Sequence, residues 1–325
     1  MRRLGSVQQK IPCVLMTEVK EEPSIKRESQ QFRVLATKTV NPVALESNVE
    51  CALATEKLDG TCCYVTVYKG QPHLWARLDR KPNKQADKRL KQYHHSHKTC
   101  KGFTWNVEKD FKTLPEAWIP AHKVQHLDGQ PVPDEHGHIP GWVPVEKDNK
   151  QYCWHSSVVD HDAGVALVLR VIAENEDLLE ITMVPLADLL EQTLELIGTN
   201  VNGNPYGMGS KKQPVHVLVA HGSMHFRNPP PVDYQQLCSW FQDSPEGGVE
   251  GIVWHCNNGT LVKLHRHHLG LRWPDGETFL NTRPVVVNVE GTVKEYNITR
   301  KDLFIALGKI NAHCFKRLRD IQIDS

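Results

Sequence analysis

A chain of 325 residues is long enough for one large cored domain or two modest ones, at roughly 150 residues per domain. Its 39 Lys and Arg stand against 38 Asp and Glu, a formal charge of +1, so whole-chain electrostatics neither demand nor exclude a polyanionic partner and any nucleic-acid surface has to be local. No apolar run approaches the ~18 residues that span a bilayer, which excludes a membrane-crossing helix.

Residues 1–31 mix charge and polarity, with Lys20, Glu21, Glu22, Lys26, Arg27 and Glu28 and little periodic apolar content. They predict a flexible N-terminal arm ahead of an ordered body that begins near Phe32. Residues 62–78 alternate β-branched and aromatic side chains on both sides of Lys69-Gly70-Gln71-Pro72, the pattern of a hairpin. The basic run 77–101 gathers Arg80, Lys81, Lys84, Lys88, Arg89, Lys91 and Lys98 with three histidines, and suits a solvated face as well as a phosphate-contacting one. His94, His95, His97 and Cys100 offer metal-ligand chemistry but lack a second ligand cluster at zinc-site spacing. The Pro-, Gly- and His-rich span 118–141 predicts a surface connection.

Residues 165–172 and 178–186 read as paired strands, followed by a short helix at 188–192. Further strands are predicted at 215–222, 251–256 and 260–265, the last two joined by Asn257-Asn258-Gly259, a strong hairpin signal. A helix is expected at 233–241. The tail sets Leu303, Ile305, Ala306 and Ile310 in a helical pattern with Thr299 as a candidate N-cap. Nine scattered cysteines, without CxxC pairs or an N-terminal signal segment, suit free thiols in the cytosol or nucleus.

The chemistry concentrates in Glu56-Lys57-Leu58-Asp59-Gly60-Thr61, just ahead of the hairpin. A lysine whose pKa is lowered by desolvation and cationic neighbours is a nucleophile toward phosphorus. Asp59 supplies an oxygen for a metal or the amine, and Gly60 lets the backbone pass close to a ligand. Alone, this string is more often an Asp-Gly turn entering a strand. Downstream, however, Glu195, Glu250-Gly251 and Lys263 each put a charge inside an apolar, strand-like run. Singly each is commonly a salt-bridged strand residue; together they suggest one polar cleft, because buried charge is costly without a partner.

In this order the residues resemble the covalent nucleotidyltransferase superfamily of DNA ligases, RNA ligases and capping enzymes. Lys57, Asp59 and Gly60 match its first motif, Glu195 its third, Glu250 with Gly251 its fourth and Lys263 its fifth, over residues 35–270. The phrase from Glu195 to Gly207, with Asn202-Gly203-Asn204-Pro205-Tyr206-Gly207, resembles RNA ligases more than DNA ligases, in particular the ATP-dependent 5′-to-3′ RNA ligases of vertebrates. The resemblance implies an α+β fold, a nucleotidyltransferase domain (ATP-grasp-like, as in ligase adenylation) of two antiparallel sheets with flanking helices at 32–272. A small helical segment at 273–325 would follow, too short for the barrel that DNA ligases and capping enzymes append. It implies ATP and Mg²⁺, or Mn²⁺, as cofactors and RNA 5′-phosphate and 3′-hydroxyl ends as partners, with no obligatory protein partner.

Lys57 would carry AMP, assisted by Lys263. Glu56, Asp59, Gly60, Arg77, Glu195, Glu250 and Lys263 would bind the nucleotide, and Glu195 and Glu250 the metal. A DNA nick or a cap as acceptor, or a non-catalytic RNA-binding relative, are the alternatives. The chain departs from the family twice. His265 stands where a second lysine is usual, with Arg266 as a possible substitute. Beyond Glu195, only His216 and His221 offer rings for adenine, Leu218 and Val219 being the other candidates. His267 and His268 are expected on an exposed turn.

Overall fold

The computed structural model describes residues 4–23, 32–97, 102–273, 277–289 and 302–323. An eleven-stranded sheet runs in the order Cys314–Phe315, Val285–Asn288, Asn175–Pro185, Val165–Ile172, His216–Ala220, Thr193–Gly198, Thr61–Tyr68, Gln71–Arg77, Gly141–Pro144 and Ile119–Pro120, with Val159–Asp160 added beside Val165–Ile172. A three-stranded sheet sets Gly251–His255 between Leu261–His265 and Leu53–Lys57. Few helices accompany them, chiefly Lys84–His97, Tyr234–Asp243 and Asp302–Lys309. The fold is α+β, but the large sheet is mixed rather than antiparallel. His216–Ala220 returns antiparallel to Thr193–Gly198 and so lies parallel to Val165–Ile172, while Val285–Asn288 joins Asn175–Pro185 in parallel.

Each sheet has its own core. Beneath the large sheet lie Val65, Leu74, Leu167, Leu169, Ile181, Leu196, Val217 and their neighbours. The small sheet buries Ala54, Ile252, Trp254, Val262 and Leu264 against Leu237, Trp240 and Phe241 of the Tyr234–Asp243 helix. Asp233 caps that helix by accepting hydrogen bonds from the backbone N–H groups of Gln235 and Gln236, both at 3.0 Å.

The N-terminal residues depart from the expected arm. Val14 and Leu15 are fully buried, and Leu15–Lys20 pairs antiparallel with Arg33–Val40. Upstream, Lys263 N–H donates to Pro12 O at 2.9 Å and Val14 N–H to Lys263 O at 2.8 Å, so residues 12–14 extend the small sheet at its Lys263 edge. Main-chain hydrogen bonding, which needs no apolar periodicity, holds this stretch. Residues 24–31 of the arm lie outside the described residues.

The C-terminal segment is likewise part of the main core, with Leu280, Val285, Val287, Leu303, Phe304 and Leu307 all packed into it. Ile305 is exposed, since 303, 304 and 307 form the inward stripe of the helix and 305 falls on the far side. Thr299 lies outside the described residues. The span 118–141 is better anchored than a surface connection: Ile119–Pro120 pairs with Gly141–Pro144, and Ala121 and Ile139 are buried. His94, His95 and His97 are exposed on the Lys84–His97 helix, and Cys100 lies outside the described residues. Instead of the helix at 188–192, a 3₁₀ turn occupies Leu186–Leu189.

Candidate active site

Lys57 ends its small-sheet strand, and the chain crosses through Leu58, Asp59 and Gly60 into the large-sheet strand Thr61–Tyr68. It therefore stands where the two sheets meet. Lys57 is opposed to Gly251 and Gly251 to His265, while Thr55, Val253 and Lys263 form the adjacent row. Opposed residues share a face, as do residues two apart, so Lys57, Lys263 and His265 project from one face of the small sheet. Glu250, buried just ahead of Gly251, accepts a hydrogen bond from Lys57 Nζ at 2.8 Å through Oε2.

Burial pulls the Lys57 amine down, but the carboxylates of Glu250, Glu195 and Asp59 outweigh it and hold the amine above its ordinary value. The lowered lysine expected from the sequence is thus not found, because three carboxylates surround one amine. Lys263 behaves the other way: burial and the charge of Lys57 bring it from 10.5 to about 8. Burial, followed by Lys57 and His267, drives His265 far below the usual histidine range. The ring is neutral, its Nδ1 standing 3.4 Å from Glu250 Oε1 without a hydrogen bond. Arg266 does not compensate. Its Nη1 donates to Phe241 O at 3.0 Å and Gly247 O at 2.6 Å and its Nε to Arg272 O at 2.8 Å, which turns it toward the Tyr234–Asp243 helix. His267 and His268 are half-buried rather than exposed, with His268 Nδ1 at 3.6 Å from Cys13 Sγ, because residues 10–14 cover that turn.

The loop after Lys57 is fixed from the large sheet. Asn202 Nδ2 donates to Asp59 Oδ1 at 2.8 Å and to Gly60 O at 2.6 Å, and Asp59 N–H donates to Tyr206 Oη at 2.8 Å. Gly60 lets the loop lie close against the Glu195 strand: a Cβ there would lie 2.2 Å from Leu196 O and 2.8 Å from Glu195 Cγ. Gly60→Ala is therefore expected to push the Lys57 loop off the Glu195 strand, at a cost of about 1–3 kcal/mol. Calorimetry checks this, and an unchanged melting temperature would show that the loop absorbs the methyl group.

Glu195 is opposed to Cys62 across one pair of strands and to Val219 across the other. Its Oε2 lies 2.8 Å from His221 Nε2, while His221 Nδ1 lies 2.8 Å from Thr193 Oγ1, which accepts the Val7 N–H at 2.8 Å. Donors and acceptors fit in one direction, from Val7 N–H through the Thr193 hydroxyl and the imidazole to Glu195. His216 is a fully buried core residue, with Nε2 at 2.7 Å from Thr199 O and its ring stacked on Trp154. Arg77 donates to Asp79 Oδ1 at 2.5 Å and to Gln8 O at 2.6 Å, and lies over the Trp142 ring.

Along its whole length the sequence is similar to known proteins. The family model for RNA ligase 1 matches residues 1–324. Proteins named RNA ligase 1 from Danio rerio and Mus musculus are 66% and 59% identical over 324 and 326 residues, and one from Pongo abelii is 59% identical over 324, each alignment covering all of both chains. The chain belongs to the RNA ligase 1 family.

In this family member the structure brings together Lys57, Asp59, Glu195, Glu250 and Lys263, with Arg77 committed at the margin. Glu56 is turned away. As the strand neighbour of Lys57 it shares a face with Ile252 and Leu264 on the apolar side, and both its carboxylate oxygens are buried without a hydrogen-bond partner. Burial pushes it up to about 8, against the pull of Arg283 and with the help of Glu250. The folded chain thus keeps a proton that the unfolded chain gives up between about 4.5 and 8, and stability falls as pH rises through that window. Glu56→Gln is expected to match wild type in melting temperature near pH 5 and exceed it near pH 8.5; a constant difference would contradict the assignment.

The sequence did not single out Asn202, Tyr206, Thr193 or Val7. The phrase containing Asn202 and Tyr206 carried the resemblance, and its alternating Asn and Gly residues signalled a tight loop; nothing local tied it to Lys57.

Proposed function

We propose that this chain is an ATP-dependent RNA ligase that joins 5′-phosphate and 3′-hydroxyl ends through AMP carried on Lys57, its nucleotidyltransferase motifs lying within about residues 32–272 and the segments on either side packed into the same cores. The observation that carries the reading is the Lys57 amine held at 2.8 Å by Glu250, with Glu195 and Lys263 around it, in a member of the RNA ligase 1 family. The relatives' name supplies the acceptor class, and the lysine environment supports the chemistry. Eight cysteines among the described residues are free, which suits a reducing compartment such as cytosol or nucleus. No helix among the described residues is long and apolar enough to cross a membrane.

In this reading the Lys57 ammonium gives a proton to solvent and the amine attacks the α-phosphorus of ATP; a P–N bond forms, the nitrogen releases a second proton to solvent and the bond to pyrophosphate breaks. Glu250 Oε2 aligns Nζ before attack. An RNA 5′-phosphate oxygen then attacks the AMP phosphorus, the P–N bond breaks and Lys57 regains a proton. The RNA 3′-hydroxyl finally attacks the activated 5′-phosphate, AMP leaves and a phosphodiester remains. Negative charge grows on non-bridging oxygens in each step, and Lys263 is a half-buried cation placed to meet it. A cavity of about 740 Å³ opens beside Lys263 and His265, its walls also carrying Lys10, Lys123, Asp134 and Glu135 but not Lys57, Glu195 or Glu250. Three carboxylates acting on one amine are a hard-oxygen donor set that suits Mg²⁺ or Mn²⁺, with Glu195 and Glu250 as holders. Such an ion, when bound, would supply further positive charge at the phosphates.

Incubation with α-labelled ATP and Mg²⁺, denaturing electrophoresis and peptide mapping test the proposal, followed by competition among RNA ends, nicked DNA and cap-acceptor RNA. AMP on Lys57 and preference for RNA ends are expected. An adduct elsewhere, or preference for nicked DNA, would overturn it.

A further inference from the structure

Beside Lys57 stands a second set of donors with a different chemistry. Cys62 Sγ, a Glu195 carboxylate oxygen and a His221 ring nitrogen all lie within 4.8 Å of one another, the only grouping of this kind among the described residues, and Glu195 Oε2 stands 2.8 Å from His221 Nε2. The fold builds it deliberately. Cys62 and Glu195 are opposed residues on adjacent antiparallel strands and so share a face. His221 follows the next strand, His216–Ala220, and its backbone N–H donates to Thr193 O at 3.1 Å, which fixes the ring over Glu195.

We propose that Cys62, Glu195 and His221 form a site for a thiophilic divalent cation such as Zn²⁺, and that its occupation withdraws Glu195 from the ligation site and inhibits adenylylation. One thiolate, one imidazole and one carboxylate are three ligands of the type zinc takes in open sites, with water completing four. Mg²⁺ would not choose them, because it prefers oxygen donors. On binding, the Cys62 thiol releases its proton to solvent. His221 moves its proton from Nε2 to Nδ1, which then donates to Thr193 Oγ1, the hydroxyl already within 2.8 Å; a metal-bound imidazole generally has such a partner on its other nitrogen.

A thiol is deprotonated by a bound cation, and the charges of the Cys62 thiolate and Glu195 then match that of the ion.

Binding is tested on the full chain with Co²⁺ as the spectroscopic stand-in for Zn²⁺. A thiolate-to-cobalt charge-transfer band saturating at one equivalent, displaced by Zn²⁺, lost in Cys62→Ser, weakened in His221→Gln and kept in Cys51→Ser, is expected. No band, or one that persists in Cys62→Ser, overturns the site. Inhibition is tested separately and rests on the adenylylation reading above. At fixed Mg²⁺, the Zn²⁺ concentration that halves label transfer from ATP should rise at least ~10-fold in Cys62→Ser, each protein being normalised to its own zinc-free rate. Equal sensitivity in both proteins overturns the inhibitory role. A cobalt band with no label transfer even without zinc supports the site and counts against the adenylylation reading alone.

Discussion

Lys57→Ala is expected to bring label transfer from ATP down to background while the variant still seals RNA ends that already carry AMP. In the proposed mechanism the Lys57 amine, 2.8 Å from Glu250, acts as the protein's nucleophile in the first chemical step alone. The last step joins a 3′-hydroxyl to an activated phosphate and asks of the protein only alignment and positive charge. Removing Lys57 also leaves the buried Glu250 carboxylate without its cation, so the melting temperature must be measured alongside. Lys57→Arg is the control, because it keeps a charge near Glu250 but lacks a usable nucleophile. Ligation of ordinary 5′-phosphate ends by either variant would rule out Lys57 as the carrier.

Lys263→Met should separate activity from stability. Lys263 sits near 8 because burial and Lys57 oppose its charge, whereas an unfolded lysine keeps its proton to about 10.5. Between these values the unfolded chain binds the proton the folded chain lacks, so stability rises with pH through that window. Below about 8 the charged lysine is a standing cost to the fold. Methionine keeps most of the side-chain volume, and the backbone of residue 263 still pairs with Pro12 and Val14. The variant should therefore melt above wild type near pH 7, with the gain shrinking as pH approaches 10. Adenylylation should fall by about 10²–10³-fold, the scale on which a preorganised charge-stabilising group acts. A lower melting temperature at pH 7, or retained adenylylation, would count against this account.

Much of this was legible in the sequence, for reasons that differ by residue. The 62–78 hairpin and the strands around Glu195, Glu250 and Lys263 announced themselves because alternation with a period of two is a local signal. The gathering of Lys57, Glu195, Glu250 and Lys263 was suggested by charges set inside apolar runs and implied by the family resemblance those residues carry. Glu56 was misjudged by proximity: neighbours in a strand face opposite ways, and parity alone sends Glu56 into the apolar core if Lys57 faces the cleft. The His221 to Glu195 contact depends on which strands are neighbours and on a loop conformation beyond the strand end, which no local pattern records. Residues 7–14 were read as loose because they are held through backbone groups and a few polar contacts, such as Gln8 with Trp142 and Arg77, rather than through an apolar stripe.

The attachment of residues 12–14 to the Lys263 strand sets an order of events during synthesis. Residues 12–14 cannot take their places until the Leu261–His265 strand has emerged from the ribosome, and the Lys57 strand waits in the same way for Gly251–His255. At ~5–20 residues per second that interval is on the order of tens of seconds, during which the edge of the Lys57 strand is unpaired and open to wrong partners. Contacts this distant along the chain also slow the search for the native pairing. On the proposed mechanism, a nascent chain stopped before residue 250 should therefore be unable to accept AMP, and Lys57 becomes competent only once the Gly251–His255 strand has emerged.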